Sequence, residues 1–126
     1  MATKIAGFVL RCKDKKITAD FYAKLGLTAN EHQHGGPVHF QLGPLADKET
    51  EMVVEVYNLS NQYTKDAIML YVDSIPRALA IAKDFGIEPK SPDVLENKGF
   101  LFIYINDPDG RDVMLIQEQK PAKLPD

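Results

Sequence analysis

The sequence predicts an α+β protein built from two βαβββ modules, which pair as mixed sheet into a cup-shaped half-barrel with the helices outside. Three observations lead there. Extended and helical patterns follow one another in the order strand, helix, three strands, and then do so again. The halves superpose at an offset of 60 residues: Phe8 falls on Ile68, Leu10 on Leu70, Cys12 on Val72, Asp14 on Ser74, Phe21 on Ile81, Leu25 on Phe85, Gly26 on Gly86 and Leu27 on Ile87. A repeat at fixed period governs the whole fold, because each copy is one supersecondary unit. Finally, one helix covers one face of a four-stranded sheet, which leaves the opposite faces of two such sheets free to curl around a shared hollow.

Taken in order, Lys4 to Arg11 (KIAGFVLR) reads as a strand entering a polar turn at Lys13-Asp14. Ile17 to Leu25 reads as a helix whose buried stripe is Ile17, Phe21 and Leu25, stopped by Gly26. Extended structure resumes from Leu27 to His32, turns at His34-Gly35-Gly36-Pro37, returns from Val38 to Leu42 and, after a polar loop over Gly43–Thr50, forms the strand Met52 to Tyr57. In the second half Ala67 to Val72 is a strand, and Ser74 caps a helix with Pro76 in its first turn. Leu79, Ala82 and Phe85 mark the buried side of that helix, and Gly86 ends it. A short strand is expected at Ile87–Pro89, a polar loop over Lys90–Lys98, a strong strand from Gly99 to Asn106, a turn at Asp107-Pro108-Asp109-Gly110 and a closing strand from Asp112 to Gln117. This gives a single domain over residues 1–120, with module one at 4–57, module two at 66–117 and a frayed tail at 121–126.

Composition narrows the function classes. At 126 residues, 44% hydrophobic and 26% charged, the chain suits one soluble domain able to bury its own core. A net charge of -3 with acids and bases interspersed argues against a nucleic-acid partner, which would call for a basic face. Apolar runs such as Ala78–Ala82 and Phe100–Ile105 are too short to cross a bilayer, and Met1-Ala2-Thr3-Lys4 leads directly into a strand without a secretion signal. Cys12 is the single cysteine, so no internal disulfide forms and a reducing, cytoplasmic setting is expected. Cys12 lies on the side of its strand expected to face the helix, which reads as a small buried hydrophobe rather than a nucleophile. No glycine-rich phosphate loop or nucleophile elbow is present.

Asp14 followed by Phe21-Tyr22 and Leu25-Gly26-Leu27, with Asp107-Pro108-Asp109-Gly110 before the last strand, resembles the opening and closing motifs of the vicinal-oxygen-chelate superfamily, which includes glyoxalases, bleomycin-resistance proteins and ring-cleaving dioxygenases. The resemblance covers residues 4–117. It implies paired βαβββ modules, a cup and, commonly, a homodimer. Metal-dependent members carry ligands at four strand positions, which by spacing from the motifs fall here on Gly7, Glu55, Ala67 and Met114. Only Glu55 is a metal-binding type, and catalytic ions generally need about three protein ligands. The resemblance therefore implies a pocket without its metal.

Strand alternation, with faces assigned as the resemblance implies, turns Gly7, Val9 and Arg11 inward, with Val53, Glu55 and Tyr57, Ala67, Met69 and Tyr71, and Asp112, Met114 and Ile116. The ligand-binding candidates are Glu55, Arg11, His39, Tyr57, Tyr71, Met69 and Met114: an apolar, partly aromatic lining with a few directional groups. Glu55 either meets a ligand, as an acceptor or a base, or is neutralised by Arg11 or turned to solvent. His32, His34 and His39, with Glu31, invite a metal reading, against which stands a polar hairpin with wet or capping histidines. The stretch also resembles a bacterial subgroup that makes His39 a pocket-rim residue. Phe100, Phe102 and Tyr104 share one face of their strand, whether toward a ligand or toward core or dimer packing.

The leading reading is a metal-independent glyoxalase/bleomycin-resistance-like protein that binds a small organic molecule in the cup, in a homodimer without nucleic-acid or membrane partners. The alternative is a metal-dependent lyase, isomerase or dioxygenase of glyoxalase type, with a divalent metal at Glu55 and His39. A third is an interaction-level role in which the chain's own side chains fill the cup.

Overall fold

A computed structural model describes residues 3–33, 37–43 and 52–119. The expected tail at 121–126, the Gly35-Gly36 turn and most of the loop after Gly43 lie outside the described residues. The chain divides into two compact units, one spanning Ile5–Met69 and one running from Leu70 onward and taking in Lys4. No helix is long and apolar enough, among the described residues, to cross a membrane.

The first unit contains β1 (Lys4–Cys12), α1 (Lys15–Lys24), β2 (Thr28–His32), β3 (His39–Gly43) and β4 (Val53–Asn58). Its strands lie in the order β2-β3-β4-β1, with β1 and β4 parallel and the other pairs antiparallel. Asp14 caps α1, its carboxylate accepting from the Lys16 N–H at 3.0 Å and the Ile17 N–H at 3.4 Å. Lys15 Nζ donates to the Val38 carbonyl, which ties the start of the helix to the approach of β3. Ala19, Leu42 and Val56 form the core between α1 and the sheet, with Leu10, Cys12, Tyr22, Phe40 and Val54 packed against them. Cys12 thus faces the helix side, as its place on the strand suggests.

The buried stripe expected of α1 is corrected. Ile17 and Leu25 are each 68% exposed and Phe21 is 58% exposed. Ala19 takes the core position instead. A helix lying against a sheet needs a small residue where its axis comes nearest, so an alanine wins the place that a periodicity read from large side chains gave to others.

The second unit contains β5 (Ala67–Tyr71, whose first residues belong to the first unit), α2 (Ile75–Asp84), β6 (Leu95–Asn97), β7 (Phe100–Asn106) and β8 (Asp112–Glu118), in the strand order β5-β8-β7-β6. The βαβββ plan therefore recurs. Ser74 Oγ accepts from the Arg77 N–H at 3.2 Å, and Gln117 Oε1 accepts from the Ile75 N–H at 2.7 Å, so two free donors of the first helical turn are satisfied. Ile75, Ile103, Val113 and Leu115 form the core, with Leu70, Val72, Leu79, Leu101 and Ile105 around them. Ala82 is buried as expected, but Phe85 is not: it occupies the C-cap position after the last helical turn and points away from the core.

The strand expected at Ile87–Pro89 is absent, and the second strand of the second module is β6, inside the segment expected to be a polar loop. Lys98 (φ 51°) and Gly99 (φ 84°) explain the difference. Asn97 pairs with Phe100 across these two residues, and two successive positive φ angles make the tight hairpin turn whose twist matches the flanking strands. Lysine at the first of those positions hides the signal that asparagine or aspartate would give.

The turn between β7 and β8 is held by Asp107, whose Oδ1 accepts from the Asp109 N–H at 2.9 Å and the Arg111 N–H at 3.0 Å. The Arg111 backbone N–H chiefly holds the Asp107 carboxyl below its ordinary value; partial burial opposes this, and the Arg111 guanidinium and the Asp109 N–H add to it. A depressed folded-state value means that the turn's contribution is present above the ordinary carboxylate range and is lost as pH falls through the lowered value. In an NMR pH titration, Asp107 is expected to protonate below an unstructured aspartate. Arg111→Ala is expected to return it only part of the way, because the largest cause is a backbone donor.

Gly7 supplies the second test. Its φ is +150°, and a Cβ there would lie 1.8 Å from the Val53 carbonyl oxygen, in backbone contact with β4. Gly7→Ala is expected to lower unfolding free energy by about 2 kcal/mol or more in denaturant titrations. Gly43→Ala, where nothing lies within 4 Å, is the control and is expected to stay within about 0.5 kcal/mol of the parent.

Candidate functional site

In the first unit, Leu10, Phe40, Leu42, Val54 and Val56 face α1, so their neighbours along each strand point to the opposite face. Strand pairing sorts those neighbours into two rows. Asn30 lies opposite Gln41, Gln41 opposite Glu55, and Glu55 opposite Val9. In the next row His32 lies opposite His39, and Tyr57 lies opposite Arg11.

The second row is a continuous stack. The His32 and His39 ring centroids are 6.0 Å apart. His39 and Tyr57 stack at 4.4 Å with their planes 14° apart. The Arg11 guanidinium carbon lies 4.6 Å from the centre of the Tyr57 ring and 5.1 Å from that of Tyr63, so two aromatic rings flank the cation. Arg11 Nη1 donates to the Asn58 carbonyl at 3.3 Å, and its backbone N–H donates to Asp66 Oδ1 at 3.0 Å.

His39 is 1% exposed, which corrects the expectation of a rim residue: it is a buried member of the row. Its Nδ1 lies 3.3 Å from the Pro37 carbonyl, which can only accept, so we assign the hydrogen to Nδ1. That leaves Nε2 facing Glu55 Oε2 at 3.6 Å. Glu55 is 16% exposed, partly open to the surface of this face, with the His39 ring rather than Arg11 beside its carboxylate. The burial of His39 follows from its place at the start of β3 against the Tyr57 ring, a cross-strand contact that no local signal announces.

In the second unit, Met114 lies opposite Tyr104 and Ile116 opposite Phe102, while Leu101, Ile103 and Ile105 face α2. Phe100, Phe102 and Tyr104 therefore share the face of Met114, opposite α2. Tyr71 is exposed beside Phe100, with ring centroids 6.4 Å apart. Met69, grouped with the first unit, is buried. Sequence reasoning did not find the partners of Asp112. This 2% exposed carboxylate accepts from Lys90 Nζ at 2.9 Å and Asn106 Nδ2 at 2.8 Å. Lys90 belongs to an irregular segment, and nothing local in the sequence points to its fold-back.

No family model matches the chain, and neither does any curated protein sequence. Solved structures do. A hypothetical protein from Bacillus halodurans C-125 is similar at a TM-score of 0.68 and 13% identity, covering 98% of this chain and 100% of its own. A methylmalonyl-CoA epimerase from Mycobacterium tuberculosis is similar at a TM-score of 0.66 and 11% identity, covering 93% of this chain and 88% of its own. A glyoxalase/bleomycin resistance protein/dioxygenase superfamily member from Vibrio splendidus 12B01 has a TM-score of 0.59 and 14% identity, covering 93% of this chain and 100% of its own. The chain shares the fold of these structures, one of them a glyoxalase/bleomycin resistance protein/dioxygenase superfamily member, as the resemblance to vicinal-oxygen-chelate proteins implies.

The metal positions that this fold implies do not suit an ion here. Of Gly7, Glu55, Ala67 and Met114, only Glu55 offers a hard donor, and the Gly7 backbone has no room for a side chain. Among the described residues no group of three His, Cys, Asp or Glu side chains is placed to hold a metal; His34 lies outside them.

The Asp112 network gives a stability test. Asp112→Ala leaves a largely buried ammonium without its carboxylate and is expected to cost about 3 kcal/mol in chemical denaturation. Adding Lys90→Met is expected to recover a substantial part of that loss, since an apolar side chain replaces the stranded charge.

Proposed function

We propose that this chain binds a small organic molecule without a resident metal, on the face of the first unit that carries Glu55, Arg11, His39 and Tyr57. The observation that carries the reading is the pairing of a partly exposed carboxylate with a buried imidazole, set beside a stacked aromatic–cation row on the face opposite α1. Rigid rings fix where the polar groups point, so a ligand meets donors and acceptors that need little ordering on binding. Tyr71 and Met114 in the second unit, and buried Met69 in the first, are further proposed ligand-binding positions, each within its own unit. Sequestration, as in the bleomycin-resistance members of the superfamily, is the simplest use of such a site. A homodimer and a cytoplasmic setting belong to the same proposal.

One observation favours a second reading. His39 Nε2 and Glu55 Oε2 stand 3.6 Å apart, as two donors around one ion would, so a divalent metal with lyase, isomerase or dioxygenase chemistry is the rival.

One set of measurements separates them. Under the first reading, untagged protein contains metal far below one equivalent, and its melting temperature is unchanged by EDTA. A thermal-shift screen then yields a small organic ligand whose affinity falls about tenfold in Glu55→Gln. Near-stoichiometric zinc, nickel, iron or manganese that disappears in Glu55→Ala would transfer the case to the enzyme. Sedimentation at micromolar concentration tests the dimer.

A further inference from the structure

We infer that the ligand is a small organic carboxylate with a hydroxyl or amino group at its other end, the carboxylate gripped by Arg11 and the donor group met by Glu55. This rests on the binding role proposed above and names the chemistry of that site.

Arg11 carries the argument. Its guanidinium carbon lies over the Tyr57 ring at 4.6 Å and over the Tyr63 ring at 5.1 Å. What a guanidinium so placed presents outward is its edge, a planar fork of N–H donors that matches the two oxygens of a carboxylate. Only the Nη1 bond to the Asn58 carbonyl uses that edge. Asp66 takes the backbone N–H, and among the described residues no carboxylate lies within ion-pair reach of the guanidinium. A half-buried cation with no carboxylate partner among the described residues is a site for an anion rather than part of a saturated network.

Glu55 supplies the second point of contact. It lies opposite Val9, two residues before Arg11 on β1 and on the same face. Two residues of strand separate the backbones of the two stations by roughly 7 Å. A carboxylate placed near Glu55 would be repelled, whereas one at Arg11 leaves the Glu55 oxygens to accept from a hydroxyl or ammonium. The site therefore distinguishes the two ends of its ligand. The ring faces in the row are occupied by one another, so recognition proceeds through edges and not by intercalating the ligand.

The test uses the full chain and three probes: 4-hydroxybenzoate, benzoate and 4-hydroxybenzamide at millimolar concentrations. Binding is followed by NMR of the Arg11 side-chain Nε–H and the Tyr57 and His39 resonances. The hydroxy acid is expected to bind about tenfold or more tightly than the amide and to shift the Arg11 signal. Benzoate is expected to fall between them. Arg11→Lys, which keeps the charge but loses the fork, is expected to abolish the acid-over-amide preference. Arg11→Gln is expected to do the same if the lysine variant is unstable. Equal binding of acid and amide, with Tyr57 and His39 still perturbed, would overturn the carboxylate assignment while leaving the binding face intact. An acid preference that survives in both Arg11 variants would also overturn it. If neither acid nor amide perturbs any residue of the face, the binding reading fails together with this one.

Discussion

Everything distinctive in the first unit follows from the register between β4 and its two neighbours. Because Gln41 and Val9 both lie opposite Glu55, Asn30, Gln41, Glu55, His39, Tyr57 and Arg11 fall with Val9 on one face, and Leu10, Phe40, Leu42, Val54 and Val56 on the other. A shift of one residue in either pairing would send Tyr57 or Glu55 under α1 and bring Val54 or Val56 out. The aliphatic face holds the register by burial against Ala19 and Tyr22. On the reverse side the imidazole, phenol and guanidinium planes add contacts that reward the same alignment. Core and candidate site are thus two consequences of one pairing scheme.

Much of this was legible in the residues. The internal repeat, the caps at Asp14 and Ser74 and the strand alternation gave the module plan and the grouping of Glu55, Tyr57 and Arg11. What escaped depends on interactions between segments. Periodicity read from Ile17, Phe21 and Leu25 misplaced the buried side of α1, because closeness of approach, not side-chain size, decides which residue meets the sheet. In α2, Leu79 and Ala82 hold and only the C-cap residue Phe85 departs. The hairpin at Lys98-Gly99 carries an atypical first residue. The burial of His39 and the pairing of Lys90 with Asp112 arise only when distant chain segments meet, and no window along the sequence contains both partners.

The two units treat charge differently. In the second, Asp112 is surrounded by Lys90 and Asn106, a closed and internally balanced group suited to fixing an irregular segment against β8. In the first, Glu55 retains surface exposure, and the Arg11 guanidinium has a single carbonyl acceptor among the described residues. Buried polar groups whose valence is complete serve architecture.

The glycine on β1 bears on descent. Since its missing methyl is what lets the Val53 carbonyl approach, no single codon change at that site can install an imidazole or carboxylate there without also reshaping the neighbouring strand. Placing a chelating side chain at position 7 therefore needs a compensating change in β4 as well, so substitution at Gly7 alone meets a steric barrier.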